Sequence, residues 1–445
     1  MAMSVFLRLV LVQLALWGSF HPLLGIGNTA GQNTVLLTDA DEGPYGKTVK
    51  EIRISNLRWT QRETLIRELA SQVGEPYSKE NAEKDAKRLD QLGIFSAITI
   101  EAIEKGDEVV LAIEVKETFP YLPTISLDVD DENGLSIGPG FKSINLGGRA
   151  ISLSASARFG GATSFATTLE NPWVAGNHLS YRLDFHHRDR KNELDNFAEV
   201  STEINLRLGS YVGDHGRIGG HFNFLSLGSD TPGTTLSANN RDNTPSLAFF
   251  IGYDSRDFWT SPHRGWWNEV EVSRNGGFLG GDGDFWRVHF DVRRFQPLAA
   301  RHTLAFFSLT TLQTGTVGVE IPIYQDFHLG GTNSIRGWGL DSTSGKNQTI
   351  NTLEYRYDLM VPKAWSVFGV SFYLGLQVAL FGDLGTAWGD NQENLWLDGY
   401  GFGLRLLIPF VDMIRFDFAF GEPGKGLNSQ IGIGEKAIKQ RRRVR

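Results

Sequence analysis

Cysteine is absent from all 445 residues. That excludes disulfides, thiol nucleophiles and cysteine-ligated metals, and it suits an exported chain that must not cross-link in transit. Long apolar runs are scarce as well. Beyond the N-terminus none approaches the ~20 residues a membrane helix needs, and the mean hydropathy of -0.21 argues against a helical membrane protein. Positive charge is in deficit, with 43 Lys and Arg against 51 Asp and Glu and a net charge of -8, which speaks against a general nucleic-acid partner. The ten histidines show no metal-ligand spacing, and neither a nucleophile elbow nor a phosphate loop occurs. No catalytic residue, metal or cofactor is therefore expected. What the chain has in abundance is glycine, at 51, and aromatic residues, at 11%.

The N-terminus is the exception to the shortage of apolar runs. Arg8 followed by LVLVQLALWG has the charge and length of a secretion signal, assigned here to residues 1–27, although no A-x-A cleavage site follows. Residues 28–47 are polar, contain glycine and read as a linker. Residues 48–118 then show the pattern of a compact α/β unit. Ile52 and Ile54 share one face of a strand; Leu65, Ile66, Leu69 and Val73 recur at helical spacing, with Gly74 placed to stop the helix. Ser78 is an N-cap candidate for a second helix, whose stripe is Ala82, Ala86, Leu89 and Leu92 and whose stop is Gly93. Two alternating runs follow, joined at Lys105-Gly106-Asp107. The order strand, helix, helix, strand, strand, with the phrase GIFSAITIEA after the second helix, resembles a single POTRA domain. Order alone also fits a ferredoxin-like module.

From Pro120 helical periodicity disappears. Residues 119–435 break into segments of roughly ten residues that alternate apolar with polar, as transmembrane barrel strands do. Ile151, Leu153, Ala155, Ala157 and Phe159 oppose Ser152, Ser154, Ser156 and Arg158; Phe416, Phe418 and Phe420 oppose Arg415 and Asp417. A soluble sandwich also alternates, but its strands are shorter, near ~5–6 residues. Trp173, Trp259, Trp266, Trp267 and Trp365 fit interfacial girdles. Runs starting near 121, 134, 149, 163, 178, 197, 216, 245, 266, 284, 301, 349, 367, 398, 412 and 427 make sixteen strands, an even number as closed bacterial barrels require. With the small module in the periplasm, the long insertions at 228–244, 314–348 and 385–399 all fall on the exterior. The expected fold is an α+β domain followed by an all-β, 16-stranded antiparallel transmembrane β-barrel, with a basic tail over 436–445.

One exterior insertion carries LGGTNSIRGWGL, residues 329–340. Arg336, Gly337 and Trp338 can form a tight tip with one cation and one large aromatic, and such a tip needs a pocket. The next strand reads LEYRYDL, with Glu354, Arg356 and Asp358 on its inward face. The strand after it has Asp383 in phase with Gln377 on the lumen side. An arginine folded back into the barrel could pair with Asp383 and Glu354, at ~1.5–3 kcal/mol for a shielded charge-assisted contact.

LGGTNSIRGW, LEYRYDL and FGDLG, in this order, resemble the BamA/TamA-like outer-membrane assembly superfamily, also called the bacterial surface antigen family. DENGLSIGPGF, NLGG and YDSRDFWTSPHRGWW match it too, and in the last Asp254, Arg256, Asp257, Pro262 and Gly265 fit the family's periplasmic turn before a strand. The resemblance covers residues 48 to about 435. It implies an outer-membrane protein with its POTRA domain in the periplasm, an inward-folded loop tip, and a role in inserting or translocating unfolded outer-membrane or secreted client proteins, in contact with the lipid bilayer and with periplasmic chaperones or lipoproteins as further partners. A dedicated two-partner-type secretion pore and a passive channel are the alternatives. Two features depart from the pattern: family members for general assembly usually carry several POTRA domains, and the chain runs past Ile433 into KQRRRVR where the family's barrels commonly end on an aromatic.

Overall fold

A strand places successive side chains on opposite faces, so alternating segments can close into a barrel only with one kind of residue inside and the other outside. The computed structural model describes residues 34–37, 44–176, 178–257, 261–367, 370–390, 394–408 and 411–433. The assigned signal, most of the linker, Trp259, the side chain of Trp365 and the basic tail lie outside the described residues. Among those described, no helix is long and apolar enough to cross a membrane; the crossing elements are strands.

The N-terminal module comprises β1 (Thr34–Leu37), β2 (Thr48–Ser55), α1 (Arg62–Ile66), α2 (Lys79–Gln91), β3 (Phe95–Lys105) and β4 (Glu108–Glu117). Its sheet runs β1-β3-β4-β2. The helices cover one face, and Leu65, Leu89, Ile98 and Val109 are fully enclosed; each such burial contributes about 1.5–3 kcal/mol. Ser78 caps α2 by accepting from the Asn81 N–H (3.1 Å), as its sequence position indicates. Two expectations need correction. Residues read as linker supply β1, which adds in parallel to the edge of β3; four residues are too few for a period to register. The first helix ends at Ile66 rather than near Val73, which is 60% exposed. Its continuation is replaced by tertiary bonds, because the buried Asp85 of α2 accepts the N–H groups of Ala70 and Ser71. Burial raises the Asp85 pKa despite these bonds.

The barrel follows directly. Its first half is β5 (Tyr121–Asp130), β6 (Gly134–Leu146), β7 (Ile151–Gly160), β8 (Thr163–Ala175), β9 (Leu179–Asn192), β10 (Phe197–Val212), β11 (Gly216–Ser229) and β12 (Arg241–Asp254). The second half is β13 (Gly265–Gly276), β14 (Asp284–Ala299), β15 (His302–Gln313), β18 (Asn347–Val367), β19 (Val370–Trp388), β20 (Leu397–Ile408), β21 (Val411–Phe420) and β22 (Asn428–Ile433). All are antiparallel neighbours in one sixteen-stranded sheet whose ends are β22 and β5. A two-stranded hairpin, β16 (Phe327–Leu329) with β17 (Thr343–Gly345), lies inside the long connection between β15 and β18. The strand count matches expectation, and starts differ by a few residues at most. The largest difference is at β12, whose polar opening Arg241-Asp242-Asn243 hides the alternation.

The even-numbered connections meet the small module. Gln61 N and Thr64 Oγ1 donate to Gly148 O (both 2.8 Å), Arg67 Nη1 donates to Trp173 O (3.3 Å), and Lys84 lies 3.8 Å from Asp214. Gly148 explains the NLGG phrase. Its φ is +73° and an added Cβ would sit 2.3 Å from Trp59 O, so only glycine fits beneath the module.

Candidate functional site

The loop of residues 314–346 folds into the barrel, and what holds its tip is a set of charges away from solvent. Arg336 is fully buried. Its Nε and Nη2 donate to Asp383 Oδ2 and Oδ1 (2.8 and 2.9 Å), a bidentate fork, and its backbone N–H adds a third bond to Asp383 Oδ2 (3.1 Å). Nη1 donates to Glu354 Oε1 (2.8 Å) and reaches Asp417 Oδ2 at 3.5 Å. The guanidinium also lies over Phe381, 3.3 Å from the ring centroid, a cation–π contact at a desolvated site.

The flanking residues explain why the tip can enter. Ile335 packs with Leu309, Leu329, Ile350, Ala387 and Leu397 in a small apolar cluster. Gly337 has φ +89° and an added Cβ would lie 2.5 Å from the Phe420 carbonyl carbon, so the backbone passes where no side chain fits. Trp338 closes the tip from above, its Nε1 donating to Asp398 O (2.7 Å).

Around this core the wall completes a network. Arg405 bridges Glu354 (Nη2 to Oε1, 3.1 Å) and Asp417 (Nη1 to Oδ1, 2.5 Å), and Arg415 Nη1 donates to Asp417 Oδ2 (3.0 Å). Arg356 donates to Glu354 Oε2 through Nε and Nη2 (2.9 and 2.7 Å). The structure thus joins Arg336 with Asp383 and Glu354 as their strand faces indicate, while Arg356 enters the network through Glu354. The sequence places Arg415 and Asp417 on a polar strand face but does not mark them as partners of the tip, and it does not single out Arg405. Their signal was partial: an acid and an arginine two apart share one face, as in Arg415/Asp417, Glu354/Arg356, Asp291/Arg293 and Asp254/Arg256, all of which pair.

The periplasmic turn motif is a second insert. Asp254 accepts Arg256 N and Nε (3.1 and 3.0 Å), and Asp257 Oδ1 accepts the N–H groups of His263 and Arg264 (3.0 and 3.2 Å). Gly265 has φ +110° and abuts Ser255 O, 2.3 Å from an added Cβ. Pro262 is buried between Ser261 and His263. The turn reaches the same wall as the loop: His263 Nε2 lies 2.7 Å from Asp358 Oδ2 on β18, and Gln377 of β19 donates to Ser261 Oγ (3.1 Å). Burial works against a charged His263, but the Asp358 hydrogen bond and charge outweigh it and raise its pKa. Trp267, placed by the sequence in an interfacial girdle, is instead 2% exposed among Arg217, Arg256 and Arg293, with its Nε1 donating to Asp291 Oδ2 (3.1 Å); its one-residue offset from Trp266 turns it inward. Among the described residues, no group of three or more His, Asp or Glu side chains could hold a metal ion.

The barrel and the small α+β module each match a known family. The Omp85 superfamily domain matches residues 145–436, and the POTRA model, a surface antigen variable number repeat, matches residues 47–118. The chain belongs to the Omp85 superfamily. It is an outer-membrane protein with its POTRA domain in the periplasm. Curated relatives include the outer membrane protein assembly factor BamA of Nitratidesulfovibrio vulgaris, 24% identical over 84% of this chain and 48% of the relative. BamA of Neisseria meningitidis is 22% identical over 76% of this chain and 46% of its own length. The chain thus spans about half the length of these relatives. Among solved structures, BamA from Haemophilus ducreyi lacking POTRA domains 1–3 aligns with a TM-score of 0.61 at 16% identity, covering 87% of this chain and 84% of that one. CdiB from Acinetobacter baumannii aligns at 0.58 and 14% identity, covering 88% and 73%. At such identities these structures speak to the Omp85 fold alone.

Proposed function

We propose that this Omp85 protein inserts or translocates unfolded client proteins at the outer membrane. The POTRA sheet takes a client strand at its edge by β-augmentation, and the first and last barrel strands form a lateral gate to the bilayer. The observation that carries this reading is the arrangement at the sheet ends. Among the described residues no register joins β5 to β22, and the POTRA domain docks on the rim beginning at the turn after β6, one strand away from β5. The POTRA sheet ends on β1 and on β2, and the start of β2 is already bonded to residues 74–77, so a client strand would add at β1 or along the rest of β2. Relatives that act as assembly factors support insertion rather than catalysis. Export of one dedicated partner would use the same parts.

Depletion followed by quantitative measurement of outer-membrane proteins tests the reading. Loss of many barrels is the expected result for general assembly, and loss of one surface protein marks dedicated secretion. An unchanged proteome overturns the proposal in favour of a passive channel.

A further inference from the structure

The residues just before the arginine tip do something different from it. Thr332 is 2% exposed and stands between the two ends of the sheet. Its N–H donates to Asp131 Oδ2 (2.7 Å) and its hydroxyl to Asp131 Oδ1 (2.5 Å). Asp131 opens the turn that joins β5 to β6, so these bonds hold the first hairpin. On its other side Thr332 lies against the last strand: a Cβ added to Gly432 of β22 would sit 2.8 Å from Thr332 Cγ2. Asn333 Oδ1 accepts from Arg415 Nη2 of β21 (2.9 Å). Gly331 has φ +84°, and an added Cβ would lie 2.5 Å from Asp131 Oδ2, so a side chain there would push the carboxylate away. A few residues later Gly337 O accepts from Asn428 Nδ2 of β22 (2.9 Å).

The loop's anchors are unequal. Arg336 binds β18, β19 and β21 through buried charges, all on the C-terminal side of the seam. Asp131, on the N-terminal side, is solvent-exposed. Water screens a hydrogen-bonded carboxylate at the surface far more than a buried one, so this is the contact that breaks first. We propose that Asp131 is a positioning residue that fastens the first hairpin to the last strand through Thr332, closing the exterior end of the seam, and that its release is a step in lateral opening. Only the final clause rests on the lateral gate proposed above.

The test uses the full chain in lipid vesicles, with thiol spin labels at Leu135→Cys and Leu427→Cys, both exposed sites in a protein without native cysteine. Asp131→Ala should widen the label separation by about 5 Å, one inter-strand spacing, and raise the open population about fivefold. Asp131→Asn, which keeps one acceptor, should fall between, and hydrogen exchange of the Arg336 amide should not change. Retention of heat-modifiable gel mobility reports that the barrel is folded. An unchanged separation in folded Asp131→Ala overturns the proposal, as does equal loss of protection at Arg336, which would mean that the whole loop undocks. A second variant, Asp131→Cys with Thr332→Cys, should insert a urea-unfolded barrel protein about tenfold more slowly when oxidised, with recovery on reduction. If the label distances behave as expected but the oxidised variant inserts at full rate, the fastening stands and the lateral gate falls.

Discussion

The POTRA domain and the barrel use the same strand alternation and bury opposite side chains. Inside the POTRA domain Leu65, Leu89, Ile98 and Val109 are enclosed; inside the barrel Arg336, Arg405 and Asp417 are, while Leu380 is 59% and Phe402 49% exposed. The difference lies in what surrounds each. Water outside the POTRA domain favours apolar burial, whereas lipid outside the barrel leaves charge only the lumen. Buried charge is tolerated when its partners are complete, and costly when one is removed.

The sharpest break of this comparison is Asp383→Ala. In the described cluster four arginines (Arg336, Arg356, Arg405, Arg415) face three carboxylates (Glu354, Asp383, Asp417), an excess of 4 − 3 = +1. Removing Asp383 doubles that excess and strips Arg336 of its fork, so loop docking should weaken by ~3–5 kcal/mol. Arg336→Ala restores neutrality and should cost less, with the barrel folded in both. Protease cleavage within residues 314–346 reads the docking. Greater cleavage in Arg336→Ala would show that fork geometry outweighs charge balance.

Leu89→Ala should destabilise the POTRA domain by ~2–5 kcal/mol through the cavity it leaves. Denaturant titration should show an earlier POTRA transition with the barrel transition unmoved. Leu380→Arg, on the lipid face near the middle of β19, should cost ~2–4 kcal/mol in folding into bilayers; a negligible cost would argue that this face meets water or protein.

The smallest effect is with pH, and it has opposite signs in the two regions. Burial disfavours the charged Glu117 of the POTRA domain, but its bonds from Thr60 and from the N–H groups of Trp59 and Arg58 win and lower its pKa below 4.5. Its contribution is present above 4.5 and is lost as pH falls through the lowered value. His263 is raised above 6.5, so its hold on Asp358 is full below 6.5 and weakens as pH rises through the raised value. Protection from hydrogen exchange, taken relative to the intrinsic rate at each pH, should therefore fall at residues 58–60 in acid and at the described turn residues 255–257 and 261–264 in base. Glu117→Gln and His263→Ala should flatten the respective profiles.

The candidate site was partly legible. Glu354 and Asp383 could be named because each lies on the polar face of a strand with unbroken alternation, and the tip declares itself by Arg336 between glycines. Asp417 and Arg405 also lay on polar faces, yet nothing local said that they stand at the depth of Arg336. The Asp358 link to His263 and the Asp131 link to Thr332 were hidden for the same reason, since they join segments 95 and 201 residues apart. The first helix failed in the other direction: its apolar spacing was real, but Asp85 took over the backbone donors that would have continued it.

By itself the sequence determined the face of each barrel strand, the number of strands and the side on which each long connection lies. Those follow from a period of two and from parity, which are properties of the chain alone. Only the tertiary structure decided which residues share a level in the barrel, because depth depends on strand tilt and the stagger between neighbours, which closure sets for all strands together. The Arg336 cluster, the fastening at Asp131 and the docking of the POTRA domain on Gly148 all depend on that shared level.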